Sequence, residues 1–313
     1  MDLLIISIPT FRRPTQLRRL LDSVNCLRPP TDIEVSILVA DNDHKRRTGV
    51  KMANNYSANS KFKLESIVVE EAGISSVRNA ILDHCFNQCE ATFCVMVDDD
   101  ELVSSNWLNG FLALYKETDA DLIGGLKVPL FEMPPESWMI NSDVFFYQPY
   151  SESGRCNRLV STDNLFLTQS FYIKQDKPEF DLSFNLTGGG DTEFLERVKR
   201  SGARLAFATE ALSYEYIPIA RMNLQWAKDR SYRIGVGLAR TYLLHFTRFE
   251  VLLQIIKLIS IMLISSTLCL VFIRNKKSNV FFYLTFLKQK GKLESFFGKR
   301  VFPYKKRHND PID

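Results

Sequence analysis

The first half of the chain alternates short apolar runs with segments of helical periodicity. The run 35–40 is apolar along almost its whole length, which is typical of a strand buried on both faces. The predicted strands are 3–8, 35–40, 67–69, 92–97 and 122–123, and the predicted helices are 14–24, 74–86 and 107–116. This alternation predicts an α/β fold in which a mostly parallel sheet is flanked by helices on both faces.

The pattern is less regular after the fifth predicted strand. Residues 131–164 are rich in Pro, Ser and aromatic residues, which predicts loops over the face of an active site. Helical periodicity returns at 194–201, where Gly202 ends the helix, and 204–208 has the pattern of a further strand. Specificity for a ligand is therefore expected to depend on 131–164.

One segment near the C-terminus is long and apolar enough to cross a bilayer. Residues 251–273 contain one charged side chain, Lys257. Basic residues stand on both sides of the segment, which favours a helix lying in the membrane interface over one that spans the membrane. A spanning helix and a buried core helix remain alternatives. The aromatic segment 279–287 is too short to span and is expected beside it at the membrane surface.

Length and charge refine this organisation. A chain of 313 residues predicts one large domain, 1–240, followed by a membrane-associated part, 241–313. The net charge of +4 is too small to indicate a nucleic-acid partner. From Arg274 onward, however, eleven lysines and arginines face three acids. This basic tail predicts contact with an anionic membrane surface.

The cysteines and the N-terminus indicate a cytoplasmic protein. The six cysteines form no CxxC pair, and none has a His at metal-ligand spacing, which argues against zinc. Several lie in apolar segments, as reduced thiols of cytosolic proteins do. The chain begins directly in a predicted strand, so no secretion signal is expected. We therefore expect the protein on the cytoplasmic face of a membrane, either peripheral or anchored by a single helix.

Four consecutive carboxylates, Asp98 to Glu101, follow the fourth predicted strand. Their mutual repulsion is relieved when a cation, or a cation carrying phosphates, binds at the end of the strand. Ligands of open α/β sheets bind at that edge. A solvated acidic turn before the helix that begins near Ser105 is the alternative, and the run alone leaves both open.

Three other elements also bring polar groups to this edge: two strands that end there and one helix that begins there. Thr10 and Arg12 follow the first strand, Asp41 follows the second, and Arg78 and Asn79 lie in the first turns of a helix. Each block has a plain turn as its alternative. Because the blocks converge on one edge, and because Arg suits a diphosphate, they predict together a nucleotide site.

Two further blocks lie in the second half. Three glycines lead into Asp191 at a predicted helix start, where the carboxylate is either a general base for a hydroxyl or an N-cap. Arg230 and Arg233 lie on a basic helical stretch that either contacts phosphate or forms a solvated face.

Taken in order, these blocks resemble the inverting family 2 glycosyltransferases with a GT-A fold. The resemblance is closest to the bacterial branch that builds exopolysaccharide repeat units, such as the succinoglycan glucosyltransferases, and it covers 3–237. The matching blocks are IPTFRR (8–13), VADND (39–43), GISSVRN (73–79), VDDDE (97–101), GGGDTEF (188–194) and WAKDRSYRIG (226–235). Six such blocks in order and at suitable spacing make the match specific.

The resemblance implies a role for most of these residues. Asp41 would contact the base of a nucleotide sugar, Asp98 the ribose, and Asp100 a Mg²⁺ or Mn²⁺ ion that bridges the diphosphate. Asp191 would deprotonate the acceptor hydroxyl. The family usually has an acid just before this base; here that position is Gly190, and Glu193 is the second candidate. Thr10, Arg12, Arg78, Asn79, Asp99, Arg230 and Arg233 are expected to bind the nucleotide.

The expected function is transfer of a sugar from a nucleotide sugar, UDP-linked, to a saccharide or lipid-linked saccharide in the synthesis of a cell-surface polysaccharide. Two alternatives belong to other classes. A nucleotidyltransferase that makes nucleotide sugars would carry a glycine-rich loop after the first strand, where this chain has Pro-Thr-Phe-Arg-Arg. A non-enzymatic membrane-tethered module for metal or sugar is the third hypothesis.

Overall fold

The computed structural model describes residues 1–140 and 142–301, so the last part of the basic tail lies outside the described residues. The strands are β1 (Asp2–Thr10), β2 (Ile33–Asp41), β3 (Lys63–Val68), β4 (Phe93–Val97), β5 (Glu101–Val103), β6 (Leu122–Phe131), β7 (Gly154–Cys156), β8 (Asn164–Thr168) and β9 (Leu205–Ile217). The helices are α1 (Pro14–Asn25), α2 (Thr48–Tyr56), α3 (Ile74–Asp83), α4 (Trp107–Thr118), α5 (Ser137–Ile140), α6 (Gln169–Lys174), α7 (Gly190–Arg200), α8 (Leu224–His245), α9 (Arg248–Val271) and α10 (Lys276–Phe296).

The strands form one mixed sheet in the order β3-β2-β1-β4-β8-β6-β9-β5, with β7 paired to β9. The strands β1 to β4 pair in parallel, so their carboxyl ends meet at one edge of the sheet. The strand β8 pairs antiparallel with β4 and β6, and β5 and β7 pair antiparallel with β9. The predicted α/β fold with flanking helices is confirmed, and parallel pairing is seen among the first four strands.

Apolar spacing explains the helices that cover this sheet. In α1, Pro14 stands at the first position, where its missing N–H costs nothing. Four apolar side chains of α1 at helical spacing are fully buried: Leu17, Leu20, Leu21 and Val24. They join a core that includes the apolar residues of β1, β2 and β4 and the inner face of α4. This packing fixes the strand ends that carry the polar blocks.

The chain divides into two compact units. The first comprises Met1–Val128, Gln148–Asn185 and Arg197–Glu215 and contains the sheet core. The second comprises Pro129–Tyr147, Leu186–Glu196 and the chain from Tyr216. Its apolar cluster consists of Trp138, Met139, Val144, Phe145, Ile217, Ala227, Val280 and Leu284. The second unit therefore has an apolar core of its own.

Several predicted elements are longer in the structure than their sequence patterns suggested. The strand β6 continues from the predicted 122–123 to Phe131, and β9 continues from 208 to Ile217. Both extensions contain charged, polar or proline residues, which hide a strand from a search for apolar runs. The predicted loop region 131–164 contains α5, β7 and the start of β8. The segment 279–287 belongs to the 21-residue helix α10.

Candidate active site

The four acids after β4 separate by exposure. The side chains of Asp98 and Asp100 are 33% and 16% exposed. Those of Asp99 and Glu101 are nearly enclosed, because the Asp99 side chain is 5% exposed and Glu101 as a residue is 2% exposed. The backbone turn thus presents every second carboxylate to solvent. Asp98 and Asp100 form the accessible pair at this edge of the sheet.

The buried Asp99 is held by donors from the end of β1. Thr10 Oγ1 donates to Asp99 Oδ2 at 2.8 Å, and Arg13 Nη1 donates to Asp99 Oδ1 at 2.9 Å. The same nitrogen of Arg13 donates to Asp100 Oδ2 at 3.0 Å. Burial acts to lower the pKa of Arg13, but the neighbouring Asp99 and Asp100 carboxylates outweigh it and raise this pKa above its ordinary value. The contacts of Thr10 and Asp99 are those of a structural clamp, and their predicted contact with nucleotide stays a prediction.

Arg13 was not among the predicted site residues. Its partners are 86 and 87 positions away in the chain, and the neighbouring Arg12 has the same residue type. The motif Phe-Arg-Arg indicated a basic group after β1, but it gave no means of deciding which arginine would face the acids. The structure assigns that contact to Arg13.

We expect Arg13→Ala to lower the free energy of unfolding by about 3–5 kcal/mol, because it leaves the buried Asp99 carboxylate without its counter-charge. Urea unfolding followed by circular dichroism measures the change. Arg18→Ala, on the exposed side of helix α1 that begins directly after Arg13, is the matched control and should cost less than about 0.5 kcal/mol. The double variant Arg13→Ala with Asp99→Asn should recover much of the loss. Equal stability of Arg13→Ala and Arg18→Ala would contradict the clamp.

Arg78 reaches the accessible acids from α3. Its Nη2 donates to Asp98 Oδ1 at 3.5 Å, and its guanidinium lies 5.6 Å from the centre of the Phe180 ring. The next residue, Asn79, instead exchanges hydrogen bonds with the backbone of Phe180, at 3.0 Å and 2.6 Å. The structure therefore places Arg78 beside the acidic run and uses Asn79 to anchor another segment. Both polar atoms of the Asn79 side chain are bonded to backbone, and its predicted contact with nucleotide stays a prediction.

Asp41 lies at the same edge but is fully buried. Its carboxylate accepts hydrogen bonds from the backbone N–H groups of Asp43, Gly49 and Val50 at 2.9, 2.7 and 3.1 Å. Burial raises the pKa of Asp41 in spite of these donors. The carboxylate thus fixes the start of α2. Its predicted contact with a nucleotide base stays a prediction and would require this loop to open.

Arg12 lies above the same loop. It adopts a left-handed backbone conformation with φ of 54°, and its Nε donates to Asp43 Oδ2 at 3.3 Å. The guanidinium also lies 4.7 Å from the centre of the Phe11 ring. This position keeps a cation at the carboxyl end of β1. The arrangement is compatible with the predicted binding of a nucleotide by Arg12.

A second charged cluster lies behind the acidic run. Lys127 of β6 forms ion pairs with Asp163 and with Glu215, the latter at 3.2 Å. Although burial acts to lower the pKa of Lys127, the two carboxylates raise it well above its ordinary value. The backbone carbonyl of Asp163 accepts from the N–H of Asp98 at 3.2 Å. This cluster supports the start of the acidic run. It joins residues of β6 and β9 with Asp163, which directly precedes β8, so no local motif indicated it.

In the second unit, Asp191 lies in the first turn of α7 and is partly exposed. Gly189 precedes it with φ of 90°, and a Cβ at Gly189 would lie 3.1 Å from the Cα of Gly237 in α8. The glycine run therefore permits the close approach of two backbones. Glu193, the second candidate base, is buried, and its Oε1 lies 2.9 Å from His245 Nε2. Asp191 is thus the accessible one of the two acids.

The two predicted phosphate-binding arginines of α8 lie against their own helix. The guanidinium of Arg230 lies 5.3 Å from the centre of the Trp226 ring, and Arg233 Nε donates to the Asp229 carbonyl at 3.2 Å. Trp226 in turn stacks on Phe145, with ring centres 5.3 Å apart. These contacts make the segment part of the core of the second unit. Binding of phosphate by Arg230 and Arg233 stays a prediction.

Elsewhere in the first unit, the fold brings together three potential metal ligands that spacing alone did not indicate. Ligand atoms of Glu65, His84 and Cys89 lie within 4.8 Å of one another, because a π-helical turn, His84–Gln88, separates the last two. Lys63 Nζ, however, lies 2.5 Å from Glu65 Oε1. Glu65 therefore already has a lysine as its ion-pair partner.

Comparison with known proteins identifies the family. The family model "Glycosyl transferase family 2" matches residues 5–174. The succinoglycan biosynthesis protein ExoM of Rhizobium meliloti (strain 1021) is 28% identical over 236 residues, which cover 74% of this chain and 72% of that protein.

Comparison with solved structures supports the same kind of fold. The crystal structure of S. aureus TarS matches with a TM-score of 0.53 and 16% sequence identity. The match covers 80% of this chain and 45% of the TarS chain. The structure of TarS 1–349 in complex with UDP-GlcNAc has a TM-score of 0.54 and 14% identity, and the match covers 96% of this chain and 93% of the other. The family match covers more than half of the chain, which therefore belongs to glycosyl transferase family 2 and is a glycosyltransferase.

Proposed function

We propose that this protein transfers a sugar from a nucleotide sugar, UDP-linked, to a hydroxyl of a saccharide or lipid-linked saccharide during the synthesis of a cell-surface polysaccharide. The observation that carries the proposal is the separation of the acidic run into an accessible pair, Asp98 and Asp100, and a buried pair, Asp99 and Glu101. In a member of this family, such a pair of carboxylates at the carboxyl edge of parallel strands suits a site for the diphosphate group of a nucleotide sugar.

Two relatives support the choice of substrates. The relative ExoM is named for succinoglycan biosynthesis, and TarS 1–349 has been crystallised with UDP-GlcNAc and with UDP. Family membership speaks against both alternative hypotheses, the nucleotidyltransferase and the non-enzymatic module. Localisation at the cytoplasmic face of a membrane is part of the proposal and rests on the apolar helix α9 and the basic tail.

The acidic pair has the donor chemistry of a divalent-cation site. Carboxylate oxygens are the ligands that Mg²⁺ and Mn²⁺ prefer, and both side chains are partly exposed. Asp100, with Asp98 beside it, would hold the ion. When bound, the ion would supply positive charge that stabilises the nucleoside diphosphate leaving group. Arg78 would add a second positive charge next to Asp98.

Asp191 would act on the acceptor. Its carboxylate would accept the proton of the acceptor hydroxyl while the oxygen attacks the anomeric carbon. The new bond from the acceptor oxygen to that carbon would form as the bond to the diphosphate oxygen breaks, and the electron pair would leave with the diphosphate. A single displacement of this kind inverts the anomeric centre. Glu193 would take no part, because it is buried against His245.

A turnover assay tests the proposal. Purified protein is incubated with UDP-, GDP- or dTDP-sugars, a saccharide acceptor and Mn²⁺, and the released nucleoside diphosphate is quantified. We expect release with a UDP-sugar and much slower release without Mn²⁺ or in the presence of a chelator. Release of pyrophosphate from a nucleoside triphosphate and a sugar phosphate would instead indicate a nucleotidyltransferase. Absence of turnover with every donor would contradict the proposal.

A further inference from the structure

The outward face of α9 is apolar and uncovered. Among the described residues, α9 is the one helix that is long and apolar enough to cross a membrane. Of its 24 residues only Leu258 and Ser265 are buried. The exposed large apolar side chains are Phe249, Leu252, Leu253, Ile256, Ile259, Leu263, Ile264, Leu270 and Val271. Such a continuous face is unfavourable in water and marks a surface that is covered in the cell.

The inward face of α9 packs on α10. The two helices are joined by a short turn, and next to it Asn279 Nδ2 of α10 donates to the Cys269 carbonyl of α9 at 2.7 Å. The rings of Phe272 and Phe282 stack with centres 5.6 Å apart. The buried residues of α9 lie seven positions apart, at the spacing of one stripe on a helix. We call this pair of helices the hairpin.

The helix α10 is in turn anchored on α8. Ser231 Oγ donates to the Leu284 carbonyl at 2.6 Å, and Tyr232 donates to Glu294 at 2.6 Å. The backbones approach so closely at Gly291 that a Cβ there would collide with the Tyr232 carbonyl. The hairpin is therefore fixed to the body of the second unit through α10.

The lysines of α10 show which side of the hairpin faces water. Lys288 Nζ lies 2.6 Å from Asp143, and Lys276 pairs with Glu136. Lys277 and Lys290 are exposed. A helix with this charge cannot enter the hydrocarbon core without a large cost. Because α9 packs on α10, it cannot cross the bilayer unless α10 accompanies it.

Basic residues stand where the apolar face ends. Arg274 and Lys277 are exposed in and just after the turn of the hairpin, next to the exposed Ile273 and Phe281. Apolar side chains flanked by cations suit the boundary between acyl chains and anionic headgroups. Lys257 on α9 can extend its ammonium group to the same boundary.

We propose that the hairpin lies flat in the interface of an anionic membrane, with the outward face of α9 inserted among the acyl chains and with neither helix crossing the bilayer. This inference deepens the membrane localisation that is part of the proposed function and rests on it. It concerns lipid binding and holds whichever sugar the protein transfers, so loss of lipid binding and loss of sugar transfer are separate outcomes. For 251–273 it adopts the interfacial placement that the flanking basic residues favour, in place of a spanning helix or a core helix, and it adds α10 to that arrangement.

Flotation of the purified full chain with lipid vesicles tests the lipid contact. We expect binding to vesicles of phosphatidylcholine with about 30% phosphatidylglycerol, and weaker binding to phosphatidylcholine alone or in about 0.5 M salt. Ile256→Glu combined with Leu263→Glu should weaken binding at least about tenfold. Ile173→Glu, at an exposed apolar position of α6, is the matched control and should bind as the unmodified chain does.

Labelling of the turn tests the orientation. A membrane-impermeant maleimide is applied to Arg274→Cys after binding to the outside of sealed vesicles, in a background in which the exposed and partly exposed cysteines are replaced by Cys26→Ser, Cys89→Ser, Cys156→Ser and Cys269→Ser. We expect rapid labelling, because the turn stays on the side from which the protein binds. Labelling that requires detergent would show a crossing and overturn the proposal. Failure of the unmodified chain to float, with a dimer in solution that Ile256→Glu dissociates, would assign the face to a second copy and also overturn it.

Discussion

Asp100→Ala is expected to lower sugar transfer at least about a hundredfold while leaving the fold intact. Loss of a group that stabilises charge developing in the transition state commonly costs this much, and here the lost carboxylate is the one assigned to the divalent ion. The fold should survive because Arg13 keeps its bond to Asp99 when Asp100 is removed. Initial rates with a UDP-sugar and saturating Mn²⁺ measure the effect.

The control for this variant is Asp32→Ala. Asp32 is an exposed acid that lies 3.7 Å from Lys116, and its removal should change neither transfer nor stability measurably. Thermal unfolding should give similar midpoints for both variants and the unmodified chain. Full activity of Asp100→Ala would refute the assignment of the ion to this carboxylate.

Asp191→Asn is expected to lower transfer about 10²–10⁴-fold with little change in donor binding, because an amide of the same shape cannot accept the proton of the acceptor. The informative result is a large loss of sugar transfer together with unchanged donor binding. Binding of the nucleotide is measured by calorimetry, and transfer is measured by release of the nucleoside diphosphate. A variant with normal transfer would remove Asp191 from the reaction.

Glu193→Gln provides the comparison for Asp191→Asn. Because Glu193 is buried against His245, its substitution should reduce stability rather than the rate of the folded protein. If Glu193→Gln abolished transfer with unchanged stability while Asp191→Asn remained active, the base would have to be reassigned to Glu193.

The sequence was sufficient for the parts of the fold that follow a simple period. The apolar spacing of α1 and the continuous apolar runs of β1, β2 and β4 gave elements whose observed bounds differ by a few residues. The outer halves of β6 and β9 were missed because their residues alternate with polar ones or include Pro129. A strand of that kind is defined by its neighbours in the sheet, which a local pattern does not contain.

The site shows the same limit. Motif order identified the acidic run and the strand ends that surround it, since these depend on local sequence. It could not identify Arg13 as the partner of Asp99, nor Lys127 as the cation behind the run, because those pairs join distant segments. It also could not show that the side chains of Asp41 and Asn79 are hydrogen-bonded to backbone groups. Burial and long-range contacts, rather than residue type, separate structural polar groups from accessible ones.

The most direct test of the account is the thermal stability of the purified protein with UDP-sugar in the presence and absence of Mn²⁺. Ligand that binds the native state raises the midpoint of unfolding with its concentration. We expect a clear rise that needs both UDP-sugar and Mn²⁺ and that disappears in Asp100→Ala. A rise of equal size without the metal, or none with UDP-, GDP- or dTDP-sugars, would contradict it.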